Sequence, residues 1–369
     1  MRIAILTLPL HTNFGGILQC YALQTVLERM GYEVSILNTS FDEVDYKTRA
    51  GLLFKRLIKV ILRKESKYYG WKTEGEITRQ YTQAFIDEYI HIRNIRDLSL
   101  LKEGEYDAIV VGSDQIWRPL YYQPIANAYL KFAKDWTSIK RIVYAASFGV
   151  DKWEYTQEET EECASLLKLF DAVSVREQSA VELCRMYLQK NVVQLLDPTL
   201  LLTKDDYLSL IQDSAITRHK NGLFYYFLDT TQDKMNIVFE LSKKYELTPF
   251  RANNPNTENY SLHFEYRVQS SIGAWIAGFE DASLVVTDSF HGCVFSIIFN
   301  KPFIVIGNTK RGDARFSSLL SMFDLEARWI KSSYSITTQQ IVPILWNMVN
   351  TKLNKEREYS FSFLQEVGK

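Results

Sequence analysis

The chain of 369 residues lacks most of the signatures that announce a chemistry. It holds no GxGxxG, no GxxxxGK[ST], no HExxH, no GxSxG and no Asp-x-Asp pair. Dinucleotide, P-loop, zinc-protease and serine-hydrolase readings therefore lose their usual support, and so does a metal-held sugar nucleotide. Cysteine is scarce: Cys20, Cys163, Cys184 and Cys293 are scattered without CxxC spacing in apolar or helical contexts. They read as buried reduced thiols of a cytoplasmic protein rather than disulfides, and no metal site is expected. Charge of one sign is also missing, since 43 basic and 44 acidic residues leave a net −1. Nothing at that level points to nucleic acid or another polyanion as partner. No apolar run approaches the roughly 18 residues of a membrane span. The opening "MRIAILTLPLHTNFGG" has no small-residue cleavage site and reads as a first strand, not a signal peptide.

What is present is the pattern of a globular α/β protein. Hydrophobic residues make up 46% and charged residues 24%, and the length favours two domains, each with its own core. Aromatics at 14% serve a core and are also compatible with sugar stacking. Short apolar runs alternate with amphipathic segments: "RIAILT", "YEVSIL", "YDAIVVGS", "RIVYAAS", "AVSVRE" and "VVQLLD", then "GLFYYFLD", "TPFRAN", "SLVVTD" and "FIVIG". Strands apolar on both faces and separated by helices predict parallel sheets covered by helices. The pattern breaks near Asp197-Pro198 and restarts. The expected fold is two Rossmann-like domains facing a cleft, residues 1–200 and 201–335, with a helical tail over 336–369. The segment "LLFKRLIKVILRKESK" (52–67) is a basic amphipathic helix. It can pack on its own domain or lie on a membrane surface, so peripheral contact at the inner face of the membrane stays open.

In such folds ligands sit outside the carboxyl ends of the strands, and four polar clusters fall there. In "HTNFGGILQ" (11–19), Asn13, Gly15 and Gly16 stand before a helix whose free N–H groups suit an anion or substrate; a tight turn is the alternative. In "VVGSDQIWRP" (110–119), Ser113 and Asp114 follow a buried strand. The Asp114 carboxylate can act as a base, bind sugar hydroxyls or cap a helix, and Trp117 can stack on a sugar. In "VSVREQS" (173–179), Arg176 suits forked recognition of phosphate or carboxylate, or an ion pair with Glu177. In "TDSFHG" (287–292), Asp288, Ser289, His291 and Gly292 interrupt an apolar stretch where a strand turns into a helix. An imidazole there can serve as general acid or base; a hydrogen-bonded core histidine is the other reading.

Taken together and in order, "TNFGGILQCYALQ", "YDAIVVGSDQIW", "IVYAASFG", "AVSVREQSAV", "LLDPTLLL", "LVVTDSFHGCVFSIIFNKPFIVI" and "ARFSSLL" resemble the polysaccharide pyruvyl transferase family. The resemblance covers roughly residues 1–325. It implies a fold similar to GT-B glycosyltransferases, with the second domain on the donor side and the first on the acceptor side. The implied activity transfers pyruvate from phosphoenolpyruvate to two hydroxyls of a sugar or lipid-linked saccharide, forming a cyclic ketal in surface-polysaccharide biosynthesis. No cofactor is implied. The family's acid/base histidine maps onto His291, and an arginine that grips phosphoenolpyruvate maps onto Arg176. Several family members carry arginine two residues before the histidine, where this chain has Ser289. Arg315 or Arg311 would have to supply the missing charge. Otherwise the donor differs, as in a GT-B-like glycosyltransferase using a nucleotide sugar, or the chain is a sugar-binding relative without turnover.

Overall fold

The computed structural model describes residues 1–39, 50–51, 53–54, 72–211, 216–308, 312–330 and 342–368. The segment 52–67, apart from Leu53 and Phe54, and Arg311 lie outside the described residues. Among the described residues, twelve strands form two sheets, all of whose pairings are parallel. The first contains β1 (Arg2–Leu6), β2 (Glu33–Asn38), β3 (Ile92–Asn94), β4 (Ala108–Val111), β5 (Lys140–Ala146), β6 (Ala172–Val175) and β7 (Val193–Gln194). Its order is β3-β2-β1-β4-β5-β6-β7. The second contains β8 (Gly222–Tyr226), β9 (Pro249–Phe250), β10 (Ala282–Thr287), β11 (Phe303–Ile306) and β12 (Trp329–Ile330), in the order β12-β11-β10-β8-β9.

The central strands are those the apolar runs predict. β4 reads AIVV and is buried at every position, because a parallel strand covered by helices on both faces has no solvent side. β3 and β12 lie at sheet edges and are only three and two residues long. No apolar run marks them in the sequence. Each sheet reverses strand order once, between β1 and β4 in the first and between β8 and β10 in the second. Such a switch point opens a crevice at the carboxyl ends of the strands flanking it. The chain segments leaving β1, β4, β8 and β10 are therefore where a ligand is expected.

The halves meet through aromatic packing beside those crevices. Phe14 opens the helix Phe14–Arg29 and reaches Trp275 in the second half, with ring centroids 5.5 Å apart. Trp275 in turn packs on Phe295 at 4.7 Å. The terminal helix Trp346–Gln365 returns to the first half, where the Arg357 guanidinium donates to the carbonyls of Leu200 and Leu202. Its Lys352 pairs with Asp324 of the second half. No helix among the described residues is long and apolar enough to cross a membrane.

Candidate functional site

The first turns of two helices, one from each half, abut. Asn13 caps the helix Phe14–Arg29, its side-chain oxygen accepting from the Gly16 N–H. Ser289 caps the helix Phe290–Ile298, its hydroxyl oxygen accepting from the Gly292 N–H. His291, in that second helix, lies flat against the backbone of Gly15. A β-carbon at Gly15 would fall 2.0 Å from His291 Nδ1 and 2.3 Å from Cγ, so only glycine admits the ring. Each helix start carries partial positive charge, and their convergence makes a place that favours an anion.

Behind the histidine lies a buried ion cluster. Arg176, just past β6, donates from Nη1 to Asp197 Oδ2 at 2.5 Å and from Nη2 to Asp114 Oδ1 at 3.3 Å. Its Nε is 4.0 Å from Glu177 Oε2. The guanidinium also sits 4.4 Å from the centroid of the Phe290 ring. Arg315, on the helix Ala314–Met322, approaches the same ring at 5.6 Å. Burial pulls the Arg315 pKa down to about 10, and repulsion from Arg176 adds to this; the group stays charged at neutral pH. The Asp197 carboxylate also accepts from the Thr199 N–H and hydroxyl, and lies 3.6 Å from His291 Nε2. Burial opposes ionisation of Asp197. His291, Arg176 and Thr199 outweigh it and hold the carboxyl far below the usual range. Glu177 is the reverse case, its carboxyl pushed up by burial. One of its oxygens accepts from the Ser147 hydroxyl and the Phe148 and Gly149 N–H groups.

The structure thus brings Gly15, Gly16, Asp114, Arg176, Ser289, His291 and Arg315 to one place, with Asn13 at its rim. Asp114 holds a left-handed backbone at φ 61°, a conformation that aspartate tolerates better than most residues.

Four expectations require correction. Trp117 has no exposed surface; it stacks on Tyr129 at 4.9 Å and its indole N–H points to the Ala128 carbonyl. An indole inside a core cannot stack on a sugar. Ser113 is fully buried, its hydroxyl donating to the Ala145 carbonyl and its N–H to Gln19. It ties the end of β4 to β5 and to the first helix. Asp288 accepts from the Leu228 and Asp229 N–H groups, from Lys234 Nζ and from Asn308. Those donors occupy the carboxylate, so it braces the second-half loops instead of meeting substrate. Gly292 serves packing, since a β-carbon there would meet Thr287 Oγ1 at 2.2 Å.

In the sequence Glu177 reads only as an ion-pair partner for Arg176, and Asp197 only as the mark of a domain break. The signal for Asp197 was the run "LLDPTLLL". An aspartate directly after a strand and before proline caps the short helical turn Pro198–Leu201. Its second oxygen is directed at the histidine by tertiary contacts alone.

The family model for polysaccharide pyruvyl transferase matches residues 13–310, from the cap of the first helix to beyond β11. The chain belongs to the polysaccharide pyruvyl transferase family. Among solved structures it is similar to Arabidopsis thaliana UGT89C1 complexed with UDP-L-rhamnose, with a TM-score of 0.52, 11% identity and coverage of 99% of this chain and 97% of that one. It is also similar to the glycotransferase of kitacinnamycin, with a TM-score of 0.48, 10% identity and coverage of 100% and 97%. A search of curated proteins found no match. The likeness to UGT89C1 is one of fold. It agrees with the two facing Rossmann-like halves and the GT-B-like arrangement expected from the sequence. Family membership identifies the chain as a transferase of the pyruvyl transferase kind and makes a sugar or polysaccharide its acceptor.

Proposed function

We propose that this pyruvyl transferase takes pyruvate from phosphoenolpyruvate and bridges two hydroxyls of one sugar with it, forming a cyclic ketal on a polysaccharide precursor in the cytoplasm. The observation that carries the reading is the meeting of His291 with Arg176, Arg315 and two helix N-termini at the junction of the halves. Phosphoenolpyruvate carries a carboxylate and a phosphate, and arginines with free helix N–H groups are the partners such anions require.

The reaction needs proton transfers and no redox step. A first sugar hydroxyl attacks the central carbon of the enol while the methylene carbon gains a proton and becomes methyl. The second hydroxyl then displaces phosphate, which departs with the second proton. A histidine that both accepts and returns a proton serves each step. Asp114, beside Gly16 and Arg176, is the second proposed proton acceptor. Nothing in this sequence of steps requires a nicotinamide, flavin or metal. A polar cleft of about 230 Å³ opens outside the carboxyl ends of β1, β2 and β3, lined by Arg96, Asp97, Tyr121, Tyr122, Gln123 and Asn127 among others. We assign the acceptor sugar to this side of the site.

The test is phosphate release from phosphoenolpyruvate across a panel of sugar acceptors, with nucleotide sugars as competing donors. His291→Ala should fold normally and lose release by at least about 100-fold, in keeping with the usual contribution of a positioned acid/base. Near-normal turnover in that variant, or hydrolysis of a nucleotide sugar in place of phosphoenolpyruvate, would refute the reading.

A further inference from the structure

The two ring nitrogens of His291 have different surroundings. Nε2 is fully buried, makes no hydrogen bond among the described residues and faces Asp197 Oδ2 at 3.6 Å. Nδ1 is the ring atom nearest to Gly15. The side chain keeps 7% of its surface open while Nε2 contributes none. Nε2 is thus the nitrogen sealed against a carboxylate, and Nδ1 is the ring's other proton-exchanging position. Asp197 cannot turn away: Thr199 fixes its Oδ1 and Arg176 grips its Oδ2. A contact of 3.6 Å is long for a hydrogen bond, and catalytic hydrogen bonds commonly tighten only when substrate is bound.

We propose that Asp197 is the positioning carboxylate of the acid/base, drawing the Nε2–H of His291 toward Oδ2 and so leaving Nδ1 to exchange the proton with substrate. The proposal rests on His291 being the acid/base. The proton of an attacking hydroxyl passes to Nδ1 and is handed on from there, while the Nε2 proton stays between ring and carboxylate. The pairing also spans the molecule. Asp197 follows β7 of the first sheet and His291 opens a helix of the second half, so the pair exists only while the halves are apposed. The other charged groups of the cluster stand behind Asp197: Arg176, then Asp114, Glu177 and Arg315 around it. The helix Phe14–Arg29, packed against the ring through Gly15, has no acidic residue in its first turn. Asp197 is thus the carboxylate that faces the imidazole.

The test starts with nitrogen-15 spectra of the full-length protein without substrate, with the His291 ring assigned by its loss in His291→Gln. The neutral ring should carry its proton on Nε2 and leave Nδ1 bare; a proton on Nδ1 overturns the proposal. Asp197→Asn keeps the shape and the Thr199 contact. It should shift the ring toward the Nδ1–H tautomer, move the pH profile of phosphate release, and lower kcat on the order of 100-fold or more with KM for phosphoenolpyruvate little changed. An unaltered tautomer and pH profile in that variant would also overturn the proposal, and if the variant does not fold, the unmodified protein's spectrum decides. Because the tautomer is read without substrate, an Nε2–H ring in a chain that releases no phosphate would keep the dyad and remove the pyruvyl-transfer reading.

Discussion

Gly15→Ala isolates the meeting of the two halves. Gly15 is the second residue of the helix Phe14–Arg29, where alanine is locally the better residue by up to about 1 kcal/mol. Against this stands a β-carbon 2.0 Å from His291 Nδ1, 2.3 Å from Cγ and 2.7 Å from Cε1. Ordinary contact begins near 3.4 Å, so the ring or the helix must give way by about 1.4 Å. Overpacking of this kind costs roughly 1–3 kcal/mol, leaving a net loss of about 0–3 kcal/mol and a Tm lower by at most roughly 12 °C. Activity should suffer far more, because a misplacement of about 1 Å at the reacting group costs on the order of 100-fold. The assay pairs a thermal melt with phosphate release at saturating phosphoenolpyruvate and acceptor. Gly16→Ala is the comparison: its β-carbon would sit 3.6 Å from Asp114 Oδ2, ordinary contact, so it should lose much less. A Gly15→Ala protein that melts normally and turns over within about tenfold of the parent, less than such a displacement allows, would refute the placement of His291.

Two further expectations concern stability. Trp117→Ala should cost about 3–5 kcal/mol, the usual range for emptying a buried aromatic site, seen as a lower denaturation midpoint. A rise in acceptor KM at unchanged stability would instead restore the sugar-stacking role. The second concerns Asp206, which accepts from Arg29 and from the Thr203 N–H and hydroxyl. Burial alone would raise its pKa, but these donors bring it from 3.8 to about 2. A carboxyl depressed on folding stabilises above its unfolded value, and that contribution is lost as pH falls through the folded one. With solvent screening it amounts to about 1 kcal/mol. The gap in denaturation midpoint between the parent and Asp206→Asn should be present at pH 5 and vanish by about pH 2; a constant gap would contradict the assignment.

What the sequence made legible follows from what its patterns encode. β1, β4 and β10 are buried on both faces, so their apolar runs announce them, and the polar residues after them fall at switch points. β3 and β12 are edge strands of three and two residues, too short for any period to register. Within the motifs, position identified the neighbourhood but not the direction of each side chain. Trp117 and Asp114 are three residues apart in one motif, yet one turns into the core beneath Tyr129 and the other faces Arg176. Asp288 looked like a ligand-facing carboxylate because Lys234 and Asn308, which hold it, are remote in sequence. Asp197 was hidden for the same reason: its partner His291 lies in the other half.

The serine two places before the histidine acquires a physical reading from the same geometry. Every residue of the helix Phe290–Ile298 is buried, and Ser289 at its cap is 4% exposed. There its hydroxyl accepts from the Gly292 N–H and its own N–H donates to the Thr287 hydroxyl oxygen, while it brings no charge of its own. The positive charge arrives from a different element. Arg315 and Arg176 both approach the ring of Phe290, the residue between Ser289 and His291. Two guanidiniums that close repel, which is one cause of the lowered Arg315 pKa. Asp114, Asp197 and Glu177 offset that repulsion. The proposed donor, with its carboxylate and phosphate, would supply the same compensation from outside. The charge a relative carries at position 289 can thus be delivered by Arg315 beside the same phenyl ring, provided the helix Ala314–Met322 stays against the first half. The hydrogen bond from the Gln178 N–H to the Ser318 hydroxyl is one of the contacts that keeps it there.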